Sequence, residues 1–282
     1  MSELILSAFA DEYADSFIGQ LEALNDLGIG WIEPRFLDKI NVADLSPAQA
    51  KGAKNLLDQF GIRVSSMGSP LGKITLDDDM DDHLEKARRV FETANLFETK
   101  FVRFFSFYPG KGQEIAKERE TVLDRVGRLA ELAGTYGLTL CHENEANIYG
   151  ESDDACLDLL ESFGGRLKCV FDMGNFVLGG IKPLSAFEKL APHIAYFHIK
   201  DALAAGAIVP PGCGEANIPE ILGAYKRMMK EDTFVSLEPH LETFSGLNSL
   251  VGKTFENPYR FPDKETAFRT AAGNMKDILA KL

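Results

Sequence analysis

Four polar side chains stand at or near the ends of apolar segments in the second half of the chain. They are Glu143, Asp172, His198 and Glu238, in the segments 138–143, 167–172, 194–200 and 233–238. A buried carboxylate is costly by itself, and three carboxylates close together repel one another unless a cation lies between them. If the segments end side by side, these four residues are predicted to bind one divalent metal ion. For any one of them alone, a helix cap or a local ion pair is the simpler interpretation.

The chemistry of this ligand set limits the choice of metal. Three carboxylates and one imidazole supply mostly hard oxygen donors, which favour Mn²⁺ or Mg²⁺ and also suit Co²⁺. Structural zinc prefers cysteine and histidine, and none of the four cysteines belongs to a C-x-x-C pair. We therefore expect one divalent metal ion per chain, with Mn²⁺ as the first choice and Mg²⁺, Co²⁺ or Zn²⁺ as alternatives.

Further polar residues follow the predicted ligands at a spacing of two. Because side chains alternate between the two faces of a strand, Glu145, Lys200 and His240 are expected one layer nearer the mouth of the site. There they would bind substrate, although a salt bridge of Lys200 with Asp201 is an equally good interpretation. His142, by contrast, is predicted to face the helices as a structural histidine.

One lysine and two histidines lie outside these segments. Lys73, in the long loop Gly68–Asp78, is expected to bind an anionic group of the substrate, with a solvated loop lysine as an equally good interpretation. His83 and His193 lie in helical or loop contexts, so we expect both at the surface.

The residues that must position these side chains form eight short apolar segments separated by amphipathic stretches. The segments are Leu4–Phe9, Trp31–Phe36, Arg63–Ser66, Lys100–Phe107, Leu138–Glu143, Leu167–Asp172, Ile194–Lys200 and Thr233–Glu238. Consecutive apolar residues are typical of parallel strands buried on both faces, and the stretches between them carry the helical period. Eight such units predict an α/β fold, a (β/α)8 TIM barrel in which residues 1–282 form a single domain. An open doubly wound sheet is the alternative, but no Gly-x-Gly-x-x-Gly motif follows the first segment.

The connections between the predicted elements differ in length. Helix-to-strand links are short, whereas the links Gly68–Asp78, Ala202–Ala216 and His240–Pro262, which follow strands, are long. In a TIM barrel the strand-to-helix loops build the catalytic face, so this asymmetry is typical of an enzyme. A lid or a subunit contact would use the same loops, and a homo-oligomer is therefore one alternative.

Two helix starts are marked by capping residues. Ser46-Pro47 predicts an N-cap followed by proline at the first helical position. Asn217 with Glu220 resembles a capping box, so a helix is expected to begin there as well.

Composition excludes several classes of function. The chain has 282 residues, 45% of them hydrophobic, and a formal net charge of −13 without a basic run, so binding of a nucleic-acid backbone is disfavoured. The cysteines are expected to be reduced and buried. No apolar run approaches the roughly 20 residues of a membrane span, and the first residues lack the pattern of a secretory leader. These features predict a cytoplasmic protein that binds a small molecule and not a membrane.

The segments that carry the predicted ligands resemble those of the xylose isomerase-like TIM barrels, a group of sugar-phosphate isomerases and epimerases. The resemblance covers essentially the whole chain and is carried by His142-Glu143-Asn144-Glu145, Phe171-Asp172-Met173-Gly174-Asn175, Phe197-His198-Ile199-Lys200-Asp201 with Gly212-x-Gly214, and Leu237-Glu238-Pro239-His240. It implies Glu143, Asp172, His198 and Glu238 as ligands of one catalytic metal. It also implies that Glu143 and Glu238 act as acid and base in isomerising or epimerising a sugar, sugar phosphate or keto-sugar through a metal-stabilised enediolate.

The resemblance also has alternatives. Many members have a histidine where this chain has Asn175, which can donate a hydrogen bond to a substrate oxygen but cannot titrate near neutrality. A dehydratase of the inosose type would share the proton abstraction, and a non-catalytic sugar-binding barrel is the alternative outside enzymes. The same fold occurs in endonuclease IV, a DNA-repair enzyme with a histidine-rich zinc cluster, but the chain has only five histidines and a net charge of −13.

Overall fold

Strands and helices alternate along the chain in the computed structural model, which describes residues 2–241 and 257–282. The strands are β1 Leu4–Ala8, β2 Trp31–Ile32, β3 Phe36–Leu37, β4 Ile40–Asn41, β5 Arg63–Val64, β6 Met67–Leu71, β7 Phe101–Phe104, β8 Thr139–Glu143, β9 Leu167–Asp172, β10 Ile194–Ile199, β11 Asp201–Ala202, β12 Ile208–Val209 and β13 Thr233–Leu237. The helices are α1 Phe17–Asp26, α2 Pro47–Phe60, α3 Met80–Leu96, α4 Arg119–Thr135, α5 Asp153–Ser162, α6 Met173–Leu178, α7 Pro183–Leu190, α8 Ile218–Lys226 and α9 Lys264–Lys281.

Parallel strands form the barrel that the sequence predicts. Seven of them pair in the order β1-β13-β10-β9-β8-β7-β6, all in parallel. The remaining strand, β2, pairs in parallel with β5 and completes the ring. On its other side the backbone N–H of Glu33, next to β2, donates to the carbonyl of Ala8 in β1 at 3.0 Å. The (β/α)8 TIM barrel fold is thus confirmed.

The third strand of the barrel differs from the prediction. The segment Arg63–Ser66 was expected to be the whole strand, but the structure divides this region into β5, which pairs with β2, and β6, which pairs with β7. Strand β6 therefore extends into the predicted loop Gly68–Asp78. Its Gly68 and Pro70 are residues that strands usually avoid, and for this reason the pattern of the sequence conceals it.

Side chains inside the barrel lie in layers. The buried residues Cys141, Val170 and Tyr196 form a small apolar cluster apart from the main core between the strands and helices. Each of them precedes by two residues a predicted metal ligand on β8, β9 or β10. Because side chains two apart in a strand share a face, the apolar layer supports the polar layer at the carboxyl ends of the strands.

Capping at the two predicted helix starts differs. Ser46 accepts from the backbone N–H of Gln49 at the start of α2, and the two residues form a capping box, with Pro47 at the first helical position. Asn217 precedes α8, but its side chain caps nothing and its backbone is left-handed, with φ of 54°. The capping box predicted there is wrong, because a left-handed N-cap residue turns its side chain away from the first helical turn.

Two of the long links follow strands on the mouth side of the barrel. The link Ala202–Ala216 contains most of the hairpin of β11 and β12. The carboxylate of Asp201 stabilises this link, because it accepts hydrogen bonds from the backbone N–H groups of Ala202, Gly212, Gly214 and Ala216. Most of the link His240–Pro262 lies outside the described residues. Among the helices that the structure describes, none is long and apolar enough to cross a membrane.

Candidate metal centre

The structure brings the four predicted ligands together at the carboxyl ends of four adjacent strands. Glu143 and Asp172 are the last residues of β8 and β9, His198 is the last but one of β10, and Glu238 directly follows β13. His198 and Asp172 are direct partners in the register of β10 and β9. One polar atom from each of the four side chains lies within 4.8 Å of the other three, and all four residues are at most 3% exposed.

Each of these four side chains has one polar atom held by a residue outside the group. The outer contacts are Arg103 Nη1 to Glu143 Oε2 at 3.1 Å, the Asn175 backbone N–H to Asp172 Oδ1 at 2.8 Å, Arg35 Nη1 to Glu238 Oε1 at 2.7 Å, and Glu33 Oε2 to His198 Nε2 at 3.2 Å. The outer contacts fix the direction of each side chain. They also leave the second polar atom of each side chain for the interior of the group.

The inner atoms lie around two nitrogen atoms. His198 Nδ1 is 2.9 Å from Glu143 Oε1 and 3.5 Å from Glu238 Oε2. Lys200 Nζ is 2.8 Å from Asp172 Oδ2 and 3.3 Å from the same Glu238 oxygen. Glu238 Oε2 is buried and has no hydrogen-bond partner within the described ranges 2–241 and 257–282. This oxygen therefore has charged neighbours but no donor in hydrogen-bond geometry, and buried carboxylate oxygens in folded proteins usually have one.

The charges of the neighbouring residues shift the pKa values of Glu143 and His198 in opposite directions. Burial raises the pKa of Glu143, but the charges of His198 and Arg103 outweigh burial and bring this pKa down to about 2. Burial lowers the pKa of His198, but the carboxylates of Glu143 and Glu33 outweigh it and raise this pKa to about 10. The two side chains therefore form an ion pair at neutral pH.

The pKa values of Asp172 and Glu238 are also shifted in opposite directions. Burial raises the pKa of Asp172 to about 6, even though the Lys200 ammonium group lowers it. Burial acts on Glu238 in the same direction, but the charges of Lys200, His240 and His198 outweigh it and hold the pKa of Glu238 well below its ordinary value. Glu238 is thus an anion at neutral pH.

These residues fit a divalent cation. Three carboxylates and an imidazole are suitable ligands for Mn²⁺, Mg²⁺, Co²⁺ or Zn²⁺, and their atoms are close enough to share one ion. The buried Glu238 oxygen without a hydrogen-bond partner supports the same conclusion, because a cation at this position would satisfy it.

Of the predicted substrate-binding residues, Asn175, Lys200 and His240 contact this group directly, and all five have a protein partner. Lys73 and Glu145 pair with each other, with Nζ and Oε2 2.7 Å apart, and Lys73 Nζ also lies 4.2 Å above the ring of Phe105. Asn175 donates its side-chain N–H to the carbonyl of Asn144 at 2.8 Å and accepts from Lys200 at 3.1 Å. The pair of Lys73 and Glu145 is partly exposed at the mouth, whereas Asn175 and Lys200 support Asp172.

His240 belongs to a second acidic group next to the first. Its Nδ1 lies 2.8 Å from Glu12 Oε1, its Nε2 lies 3.4 Å from Glu238 Oε1, and its backbone N–H donates to Glu12 Oε2 at 2.7 Å. Polar atoms of these three residues also lie within 4.8 Å of one another. The guanidinium group of Arg35 contacts both carboxylates, at 3.3 Å and 2.7 Å, so this second group already has a cation supplied by the protein.

Two histidines outside the group have structural partners. His142 is fully buried and its Nε2 lies 2.9 Å from the hydroxyl of Ser106, in agreement with a structural role. His83 was expected at the surface, but it is only 5% exposed and accepts a hydrogen bond at Nε2 from the backbone N–H of Gly72 at 2.9 Å. Burial lowers the pKa of His83 to about 4, because the charged imidazole would lose its water. The prediction failed because helix α3 turns this polar residue towards the barrel.

Comparison with known proteins identifies the family of the chain. The chain matches the family model described as "Xylose isomerase-like TIM barrel" over residues 21–276. The chain belongs to this family. Among curated proteins, the uncharacterized protein YihM of Escherichia coli (strain K12) is 28% identical over 102 residues, which are 36% of this chain and only 30% of that protein.

Solved structures of the xylose isomerase-like TIM barrels resemble the whole chain. The IOLI protein with a bound zinc atom has a TM-score of 0.74 at 18% identity, over 99% of both chains. D-allulose 3-epimerase from Methylomonas sp., in complex with D-allulose, has a TM-score of 0.72 at 14% identity, over 100% of this chain and 98% of that one. The probable 3-DHS dehydratase AsbF from Bacillus anthracis has a TM-score of 0.68 at 20% identity, over 97% of both. At these identities the likeness shows the fold.

Sequence reasoning missed the outer residues of this family member's site. Glu33 and Arg35 were not predicted, although they follow the apolar pair Trp31-Ile32 at the spacing of two that identified Lys200 and His240. Arg103 was missed although it lies inside an apolar strand. In each case the available signal was a charged residue within or just after a strand, and it was not applied to the first half of the chain.

Proposed function

We propose that the protein is a divalent-metal-dependent isomerase or epimerase of a small sugar, sugar phosphate or keto-sugar, with Mn²⁺ as the preferred ion. The observation that carries this proposal is the convergence of Glu143, Asp172, His198 and Glu238 within 4.8 Å at the mouth of the barrel. Membership of a family that includes epimerases supports it. Sugar-binding residues of this site would be Lys73, Glu145, Asn175, Lys200 and His240.

The chemistry requires proton transfer at a carbon next to a carbonyl group. A bound divalent ion would polarise the carbonyl and acidify the neighbouring C–H bond. Of the two glutamates, one would remove this proton, while the electron pair of the C–H bond forms a C=C bond and the carbonyl oxygen becomes an enolate oxygen. The other glutamate, which must first take up a proton from the solvent, would deliver it to the opposite face of the same carbon in an epimerase. The low pKa values of Glu143 and Glu238 keep both carboxylates ionised but make them weak bases, so the reaction depends on a C–H bond that the bound ion would acidify.

Other polar groups of the chain would hold the substrate oxygens. Lys200 Nζ lies between Asp172 and Glu238, so it is placed to donate a hydrogen bond to an oxygen that gains negative charge. The ring of Phe9 packs edge-on against His198, with centroids 5.0 Å apart, and covers the floor of the site. An apolar surface next to the reacting carbon would exclude water from the enolate.

A dehydratase is the second candidate function. Elimination needs the same proton abstraction and, in addition, an acid that protonates the departing hydroxyl group as its C–O bond breaks. The ammonium group of Lys200, 3.3 Å from Glu238 Oε2, provides a donor beside the base and favours this alternative. The likeness in fold to a probable 3-DHS dehydratase agrees with it.

Two measurements test the proposal. Elemental analysis of the purified protein should give about one divalent ion per chain, and chelation should lower the melting temperature. Incubation of the Mn²⁺-loaded protein with candidate ketoses and keto acids in D₂O, followed by NMR, then distinguishes the functions. An isomerase or epimerase gives a deuterated isomer, a dehydratase gives an unsaturated product and water, and a sugar-binding barrel gives neither. Absence of metal together with absence of a thermal shift on adding Mn²⁺ would refute the site.

A further inference from the structure

We infer that Glu33 is a positioning residue that directs the Nδ1 atom of His198 into the metal centre. The inference rests on the proposed metal site and adds a residue that lies outside the four ligands. Glu33 directly follows β2, and strands β1 and β13 lie between β2 and β10, which carries His198. Its carboxylate reaches across the barrel interior and contacts the imidazole from behind.

The contacts of Glu33 are confined to the barrel interior. The residue is fully buried, and its two oxygens lie 3.3 and 3.2 Å from His198 Nε2. The phenol of Tyr196 donates to Glu33 Oε1 at 3.0 Å, and the hydroxyl of Ser66 lies 2.8 Å from the same phenol oxygen. Both oxygens therefore face hydrogen-bond donors. The contact with His198 Nε2 is the one that connects the Glu33 carboxylate to a predicted metal ligand.

The imidazole of His198 is held in one orientation. Phe9 packs edge-on against it with centroids 5.0 Å apart, and Tyr196 does so at 5.5 Å. In this orientation Nδ1 faces Glu143 and Glu238, while Nε2 faces Glu33. A half-turn of the ring about its Cβ–Cγ bond would place carbon atoms where Nδ1 and Nε2 now lie, so both sets of contacts depend on this orientation.

The consequence for the metal centre follows from the two roles of an imidazole ring. An imidazole that binds a metal is neutral and carries one proton, so metal binding requires release of the Nδ1 proton of the ion pair with Glu143; a carboxylate that accepts from Nε2–H then keeps the remaining proton there and leaves the lone pair of Nδ1 for the metal. The negative charge behind the ring also makes Nδ1 a stronger donor. Loss of such an outer carboxylate lowers metal affinity typically by about 10–100-fold. Glu33 would thus select both the tautomer and the ligand atom of His198.

Titration calorimetry with Mn²⁺ as the probe tests this inference without an activity assay. Glu33→Ala leaves Nε2–H without its acceptor and is expected to raise the Kd for Mn²⁺ by about 10–100-fold. Glu33→Gln keeps an oxygen that can accept from Nε2–H but loses the charge, so its Kd should lie between those of wild type and Glu33→Ala. Tyr196→Phe is the matched control, because it removes a hydrogen bond of Glu33 and leaves the imidazole contact; its Kd should stay within about 3-fold of wild type.

A spectroscopic measurement on the wild-type protein gives an independent test. In protein labelled with ¹⁵N-histidine and loaded with Zn²⁺, two-bond ¹H–¹⁵N NMR should show His198 with zinc at Nδ1 and a proton at Nε2. A zinc shift at Nε2 would overturn the inference, and so would wild-type Mn²⁺ affinity in Glu33→Gln. If Glu33→Ala fails to fold, these two measurements decide. Metal binding as expected without turnover of any sugar would refute only the proposed reaction, whereas a wild-type protein that binds neither ion would refute the metal site and this inference together.

Discussion

The buried arginine behind Glu143 provides the most direct test of how the site is held together. Arg103 is only 4% exposed and donates to Glu143 Oε2 and to the carbonyls of Gly68 and Ser69 at 3.0–3.3 Å. Arg103→Met keeps most of the apolar stem but leaves the buried Glu143 carboxylate with only one of its two counter-charges, His198, and removes the Arg103 donors from two carbonyls. Breaking a buried ion pair from one side costs about 3–5 kcal/mol of the free energy of unfolding. At about 2–4 °C per kcal/mol, the melting temperature should fall by roughly 6–20 °C.

The assay is urea and thermal unfolding with and without metal. Arg119→Met is the matched control, because Arg119 pairs with Asp158 at the surface, with side chains 42% and 35% exposed, and exposed pairs of this kind contribute little to stability. Mn²⁺ should raise the melting temperature of Arg103→Met more than that of wild type, because the cation supplies the positive charge that Arg103 no longer provides next to Glu143. Equal losses of stability in the two variants, or equal gains with Mn²⁺ in Arg103→Met and wild type, would contradict this account.

Three further predictions concern catalysis, substrate and pH. Glu143→Gln and Glu238→Gln, assayed by NMR in D₂O at saturating Mn²⁺, should each lose turnover by about 10²-fold or more, and wild-type rates in both would place the base elsewhere. Lys73→Met should raise KM more for phosphorylated or carboxylated substrates than for neutral sugars, and equal increases would reject its anion-binding role. The pKa of His83 is about 4 in the folded protein and 6.5 in the unfolded chain, so the unfolded chain binds a proton more readily. The free energy of unfolding should therefore contain the full contribution of His83 above pH 6.5 and should fall by up to about 3 kcal/mol as the pH decreases towards 4. His83→Gln should lack this part of the pH dependence in urea titrations at several pH values.

The sequence predicts the barrel because most of its strands are recognisable as short apolar runs. Strands β8, β9 and β10 are apolar runs that end in a charged or polar residue, and their observed bounds agree with the predicted ones to within one residue. Strand β6 is different, since Gly68 and Pro70 interrupt its pattern and the strand is recognisable only from its pairing with β7. Pairing between distant segments is a tertiary contact that local composition does not record.

The candidate site likewise has a part that the sequence predicts and a part that it does not. Glu143, Asp172, His198 and Glu238 could be nominated because each lies at or next to the carboxyl end of a strand, and parallel strands in a barrel end on one face. Their outer partners could not be assigned, because which oxygen of Glu238 meets Arg35, or which nitrogen of His198 meets Glu33, depends on distances across the barrel. The same limit explains why Lys73 and Glu145 were predicted separately, although they form one ion pair.

Three positively charged side chains explain how a barrel core accommodates three buried carboxylates before any cation binds. Arg35, Arg103 and Lys200 each contact a different one of these carboxylates, at 2.7, 3.1 and 2.8 Å. The protein itself therefore reduces the mutual repulsion of the three carboxylates, and folding does not require a bound metal. Domains whose ligands lack such partners differ, because they fold only when the metal binds. Because the guanidinium groups occupy the outer oxygens and leave Glu238 Oε2 without a hydrogen-bond partner inside the described part of the chain, this charge compensation leaves a place for the ion. Arg103, which is buried, and Arg35, which is partly buried, contribute to stability through the same carboxylates that function requires, so substitution of either arginine should affect folding and metal binding together.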